Sequence, residues 1–255
     1  MKESRRENWD SFWREKAIIE EVYSNAGRLS DHISAVVDVR GKRVLEIGAG
    51  TGRDSIPLLE RGAIVYQIDY SEPSLRILKK LSQEYDTPVH ILGGDTFALP
   101  FKDESFDVVF HQGLLEHFRI PKADELLKEN IRVLKKGGIL LVDVPQRFHL
   151  YTIAKHLLIA LNKWFAGWER SFTVGELRAA LQSLGLNPIY SYGEWMYPSF
   201  VYRAVREIGK KISIKLPLNP TIPGLSGLRS TFRAALRKTS LPLYTGISIG
   251  VAARK

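Results

Sequence analysis

Three glycines at alternate positions, Gly48, Gly50 and Gly52, follow the run Val44-Leu45-Glu46-Ile47. With no Cβ in the way, such a turn lets backbone approach a ligand closely. At the carboxyl end of a first strand it stands where open α/β sheets bind one. Asp69 closes the next β-favouring run, Ile64-Val65-Tyr66-Gln67-Ile68. A carboxylate there, ~20 residues beyond a glycine turn, can accept hydrogen bonds from both hydroxyls of a ribose. Arg53 occupies the place where a dinucleotide fingerprint needs its third glycine, and no Gly-Lys-Ser/Thr follows to grip phosphate. Three histidines, His111, His117 and His149, lie at the ends of later apolar runs. Histidine titrates near neutral pH, so these are the positional candidates for a general base. The sequence offers no paired carboxylates, metal-ligand cluster or nucleophile elbow as a competitor, and with no cysteine it excludes disulfides, zinc-thiolate sites and iron–sulfur chemistry.

These residues need a scaffold, and the apolar periodicity supplies one. Strands are expected at Arg43 to Ile47, Ile64 to Ile68, Val89 to Leu92, Phe106 to Phe110, and Ile139 to Val144, the last of them central because only Asp143 interrupts its apolar run. Between them, a helix follows the glycine turn (Ile56, Leu58, Leu59) and ends near Arg61-Gly62, and others run over Ser74 to Gln83 and from Pro121 to Leu134. Lys135-Lys136-Gly137-Gly138 reads as the closing turn of the last, with cations and glycine where a helix end favours them. Ser71, before Glu72-Pro73, suits a helix N-cap better than Asp69 does, which leaves Asp69 free for a ligand. Strands alternating with helices predict a doubly wound, mostly parallel α/β sheet.

The glycine stretch, with Glu46 two residues before Gly48, resembles motif I of the class I S-adenosylmethionine-dependent methyltransferases, in the small-molecule type 11 group. Phe106-Asp107-Val108-Val109, followed by Leu114-Leu115-Glu116-His117-Phe118, resembles the same family's fourth motif. The resemblance implies a Rossmann-like sheet of seven strands, the last antiparallel, with S-adenosylmethionine as cofactor and S-adenosylhomocysteine as product. It implies that Glu46, Gly48, Ala49, Gly50 and Gly52 cradle the amino-acid end of the cofactor. Asp69, Tyr70 and Ser71 would lie at the ribose, Asp95, Thr96 and Phe97 at the adenine, and His111 and Gln112 beside the sulfonium methyl. His111 and His117 are the catalytic candidates. The Glu-His pair recurs across members with different chemistries, so a structural or cofactor-proximal role weighs more for His117. The resemblance is good from about residue 40 to 146 and loose elsewhere.

The flanking segments set the expected organisation: an N-terminal helical cap over 1–40, a core over 41–195 with a helical insertion near 147–170, a basic lid over 196–243, and a last strand in 244–255. Trp9, Phe12, Trp13, Ile18, Ile19, Val22 and Tyr23 mark an amphipathic N-terminal segment; its aromatics read first as core, with Tyr23 a lid candidate, and a second helix is expected from Leu29 to Val37. Leu150, Ile153, Ala154, Leu157, Leu158, Leu161, Trp164 and Phe165 recur at helical spacing opposite Lys155, His156 and Lys163, an apolar helix that would suit an amphipathic acceptor or a membrane surface. A further helix, Val174 to Leu184, precedes strands at Leu186 to Trp195 and Ile247 to Ala252.

Of the formal net charge of +9, the last sixty residues carry eleven Lys and Arg against Glu207 alone. That imbalance suits an anionic partner: an amphipathic or phosphorylated small acceptor, or an anionic membrane surface. A homodimer interface is the plain alternative, and nucleic acid is disfavoured because charge is the only feature pointing to it. With no apolar leader at the N-terminus and no membrane-length apolar run, a cytoplasmic protein, peripheral to membranes at most, is the expectation. The rival functions are a non-catalytic cofactor-binding module recruited by its basic region and an NAD-dependent oxidoreductase, the latter opposed by Arg53.

Overall fold

The computed structural model describes residues 3–15, 28–83, 88–195, 198–211, 213–217, 225–237 and 239–255. In chain order the elements are α1 (Arg6–Glu15), α2 (Arg28–Ser34), β1 (Arg43–Ile47), α3 (Ile56–Glu60), β2 (Ile64–Asp69), α4 (Glu72–Ser82), β3 (His90–Gly93) and β4 (Phe106–Gln112). There follow a 3-10 turn (Leu115–His117), α5 (Lys122–Val133), β5 (Leu134–Pro145), α6 (Leu150–Ala160), α7 (Val174–Ser183), β6 (Asn187–Glu194), α8 (Phe200–Lys211), α9 (Leu225–Arg237), α10 (Leu241–Thr245) and β7 (Ser248–Arg254). The strands form one sheet in the order β3-β2-β1-β4-β5-β7-β6. The pairings from β3 through β5 are parallel, and β7 is antiparallel to both neighbours.

Side chains alternate across each strand, and both faces are covered. Leu45, Ile47, Val109, Leu140 and Val142 face a core closed by α5 and α7, through Leu126, Leu127, Leu177 and Leu181. Val44, Val65, Val108, Phe110 and Leu141 face the other, closed by α2 and α3 through Leu29, Ile33, Leu58 and Leu59. Successive parallel strands all end on one side, so the loops after β1, β2, β3, β4 and β5 converge there.

The turn after β1 has Gly48, Gly50 and Gly52 all at positive φ. The space each glycine leaves is used differently. A Cβ on Gly50 would lie 2.7 Å from the ring of Trp13, and one on Gly52 would lie 2.1 Å from the Gln67 amide nitrogen and 2.8 Å from Leu78. These two glycines therefore admit the protein's own side chains, α1 among them.

Several local expectations change. Lys135 to Gly138 are not the last turn of α5, which stops at Val133; the chain turns directly into β5, and Lys135 pairs with Asp107 at 2.9 Å. Ser71 does occupy the N-cap position of α4, but its hydroxyl donates to Asp10 of α1 at 2.6 Å rather than capping. On α6 the apolar stripe faces solvent and Lys155 faces in. Thr152, Lys155 and Ile159 are its buried face, while Leu150, Ile153 and Leu157 stand in solvent. Two polar anchors impose this: Thr152 donates to the Gln146 carbonyl at 2.7 Å, and the Lys155 ammonium bonds Glu169. Trp164 and Phe165 lie beyond the helix end. Ile18, Ile19, Val22 and Tyr23 lie outside the described residues. Among the described residues no helix is long and apolar enough to cross a membrane.

Gly52→Ala is expected to cost roughly 1–2 kcal/mol for the left-handed backbone alone, plus the displacement of Gln67. Gly41→Ala, at φ +69° with nothing within 4 Å of the added methyl, carries the backbone cost only. Urea unfolding midpoints of the two variants should therefore differ, with Gly52→Ala the less stable.

Candidate active site

The converging loops wall a cavity of about 560 Å³, within the range of small-molecule sites. Its floor is Ile47 and Gly48 after β1, Ile68, Asp69 and Tyr70 at the end of β2, Gly94 to Phe97 after β3, Gln112 to Leu114 after β4, and Pro145 of β5. Helix α1 covers it with Trp9, Phe12 and Trp13. The far end is closed by Glu116, His117, Tyr151, Lys155, Trp164, Phe165 and Glu169.

At the near end, the two oxygens of Asp69 each accept one backbone N–H, from Gly50 and from Ser71, both at 2.9 Å. The carboxylate lines the cavity, and when ionised it is an acceptor-only group suited to a ligand's hydroxyls. Burial raises the pKa of Asp69, and the backbone donors from Ser71 and Gly50 oppose it. Thr96 holds a buried hydroxyl that has no hydrogen-bond partner among the described residues. Asp95 accepts from the Phe97 N–H at 2.9 Å, which fixes the loop that presents the Phe97 ring, set edge-on to Phe118 with centroids 4.9 Å apart. Beneath the turn, Glu46 is buried, takes the Ser55 hydroxyl, and is pushed well above the usual carboxylate range by burial and by Asp54.

The far end is a polar cluster under an aromatic roof. Glu169 accepts from both the Lys155 ammonium and the Trp164 indole. Burial would raise its pKa, but the Lys155 ammonium and the hydrogen bonds from Lys155 and Trp164 hold it low. His117 Nδ1 lies 3.9 Å from Glu169, without a hydrogen-bond partner among the described residues, and Trp9 meets the ring edge-on at 4.9 Å. Burial lowers the pKa of His117, with Glu169 opposing. Glu116 is fully enclosed and pushed up to about 8, first by burial and then by Glu169. The cluster therefore places a neutral imidazole and a protonated carboxyl beside an ionised Glu169–Lys155 pair.

Of the residues singled out in the sequence, Gly48, Asp69, Tyr70, Asp95, Thr96, Phe97, Gln112 and His117 share the cavity. Glu46, Ala49, Gly50, Gly52 and Ser71 sit behind its wall and shape it. His111 is fully buried away from the cavity lining, and burial holds its pKa down to about 3. His149 caps α6, its Nδ1 accepting from the Tyr151 N–H at 3.1 Å. Sequence reasoning passed over Lys155 and Glu169, because a lysine opposite an apolar stripe reads as solvated. Trp13 is buried, as the core reading of the N-terminal aromatics expects, while Trp9 and Phe12 are half-buried and roof the cavity; aromatics clustered on one amphipathic segment were the available signal for a cover.

Residues 45–142 match the methyltransferase domain family. A demethylmenaquinone methyltransferase of Renibacterium salmoninarum is 39% identical over 43% of this chain and 44% of its own length. A ubiquinone biosynthesis O-methyltransferase of Coxiella burnetii is 27% identical over 66% of this chain and 73% of its own. The match thus spans less than half of the first relative and about three quarters of the second. Among solved structures, a protein of Thermotoga maritima described as an S-adenosylmethionine-dependent methyltransferase, possible histamine N-methyltransferase, shares the fold with a TM-score of 0.65 at 20% identity, over 98% of this chain and 100% of that one.

A buried carboxyl whose folded pKa is raised stabilises the fold fully below its unfolded pKa and loses that contribution as pH rises through the folded value. For Glu116 the loss runs from about pH 4.5 to about pH 8. Glu116→Gln removes this term. Its melting temperature relative to wild type should rise by about 10 °C between pH 5 and pH 9, as followed by circular dichroism; a constant difference would show that Glu116 does not titrate in this window.

Proposed function

We propose, for a chain whose residues 45–142 form a class I S-adenosylmethionine-dependent methyltransferase domain, that the cavity binds S-adenosylmethionine at its near end and methylates a small molecule held at its far end. One observation carries this reading: the cavity has two unlike halves. One presents an acid, a hydroxyl without a partner among the described residues and an aromatic face beside a glycine turn. The other is an aromatic-roofed polar cluster.

The near end fits the cofactor. Asp69 would take the ribose hydroxyls, and Thr96 with Asp95 the polar edge of the base against Phe97. Gly48 and Gln112 would border the amino-acid end, on the turn that Glu46 holds from beneath. The cofactor, once bound, supplies a methyl group already activated by its sulfonium charge. The protein then has to align the acceptor and exclude water, which Trp9, Phe12 and Trp13 do from α1. For an acceptor with a hydroxyl, phenol or acidic carbon, His117 takes the proton. Its lowered pKa keeps the ring neutral and able to accept, and Glu169 at 3.9 Å stabilises the imidazolium that results. His111, off the cavity lining, is given no proton to move. The Lys155 charge is already matched by Glu169, so the aromatic walls favour an apolar acceptor body with one polar group over a phosphorylated one. The named relatives act, by their descriptions, in menaquinone and ubiquinone chemistry, which suits such an acceptor.

Calorimetric titration with S-adenosylmethionine, S-adenosylhomocysteine and NAD should show binding of the first two alone. Asp69→Asn should weaken S-adenosylhomocysteine by about tenfold or more, and Thr96→Val by a few-fold. Unchanged affinity in a folded Asp69→Asn protein would refute the placement of the ribose. His117→Gln should leave S-adenosylhomocysteine affinity within about twofold and lower methyl transfer by roughly 10²-fold or more. Retained turnover would remove the base assignment, while cofactor binding with no turnover on any quinol or phenol acceptor would favour a non-catalytic module.

A further inference from the structure

Two neighbouring helices are turned inside out. On α6 the buried face carries Thr152 and Lys155, and on α8 it carries Arg206 and Gly209. Their outward faces carry Leu150, Ile153 and Leu157 on α6 and Val201, Val205 and Ile208 on α8, all between 49% and 66% exposed. The spacing on each helix puts its three side chains on a single stripe. The helices meet at their N-terminal ends, where the rings of Tyr151 and Phe200 lie 5.7 Å apart, and Leu150 and Val201 flank that contact. Isolated exposed apolar side chains need no explanation; two adjoining stripes do.

We propose that this surface docks on an anionic lipid bilayer, so that the mouth of the cavity opens at the membrane surface. Charge selects the occupant. Lys163, just after α6, and Lys211 and Lys215, at and beyond the end of α8, are exposed. They belong to a chain whose last sixty residues hold eleven cations against one acid. Exposed apolar stripes on helices followed by exposed lysines match the acyl and headgroup layers of an anionic leaflet. Length selects the mode. At 11 and 12 residues, α6 and α8 extend only about 16–18 Å, so they lie in the interface rather than span it. Position gives the consequence. Tyr151 on α6 and Phe165 just beyond it line the cavity, and Phe165 stacks on Phe12 of the α1 cover at 4.9 Å. Docking would set that edge of the cavity against the lipid, and an apolar acceptor would enter from the bilayer without crossing water. This last step rests on the reading of the cavity as a methyltransferase site with an apolar acceptor; the docking itself does not.

The test is sedimentation of the full chain with vesicles of phosphatidylglycerol and phosphatidylcholine, against phosphatidylcholine alone. Wild type should pellet with the anionic vesicles and only weakly with the neutral ones. The double variant Ile153→Ser/Leu157→Ser, on exposed positions outside the cavity, should bind anionic vesicles at least about tenfold more weakly with unchanged melting temperature. Equal binding by variant and wild type, or none by wild type, would overturn the proposal. So would a concentration-dependent wild-type dimer in sedimentation equilibrium that the variant abolishes, since the face would then be covered by a second copy. Titration with S-adenosylhomocysteine in the absence of vesicles separates the two readings. Cofactor binding without vesicle binding removes the docking alone, and vesicle binding without cofactor binding removes the methyltransferase reading alone.

Discussion

The carboxylate of Asp69 bridges the two loops on which the cavity is built. By accepting the Gly50 N–H and the Ser71 N–H it ties the turn after β1 to the start of α4, and the Ser74 hydroxyl closes the same ring on the Gly50 carbonyl at 2.7 Å. Buried backbone groups in an irregular turn need partners, and an unmet one costs about 1–3 kcal/mol. A turn with three residues in the left-handed region has no regular ladder to supply them. Asp69 does, and it lines the cavity. The group best suited to recognise a diol therefore also holds the turn that would cradle the rest of the ligand.

The far end follows the same economy with different chemistry. A lysine and a glutamate buried together are tolerated because each neutralises the other and the Trp164 indole fills a further position on Glu169. Their pairing leaves His117 and Glu116 as the buried polar groups of the cluster without matched charges, and burial favours the neutral form of both. The same lysine turns α6 over. Once Lys155 and Thr152 are committed inward, the leucine and isoleucine side of the helix has to face out. The polar end of the cavity and the apolar outer surface are thus two consequences of one helix orientation.

The cover is held by a few specific contacts. Trp13 fills the space that Gly50 leaves, Asp10 takes the Ser71 hydroxyl, and Trp9 and Phe12 pack on His117 and Phe165. Each contact reaches a loop that also lines the cavity, so α1 and the floor are mechanically coupled.

By itself the sequence determined the sheet, its winding and most of the near end. Alternating apolar runs fix strands locally, alternate glycines admit few conformations, and an acid at a strand end is placed by the strand. Asp69 follows from its place at a strand end, whereas Asp95, Thr96, Phe97 and Gln112 are singled out by the family resemblance; all five line the cavity. What only the tertiary structure decided is the far end and the outer surface. The sequence pattern of α6 showed an apolar stripe opposite lysine without saying which side meets the core. An ion pair with Glu169, 14 residues away, decided it, and periodicity carries no information about such a partner. His111 likewise looked available at a strand end, but a strand alternates its side chains, and burial between the sheet and its cover takes that ring out of the cavity. Local pattern settles which elements form; long-range polar pairing settles which way they face.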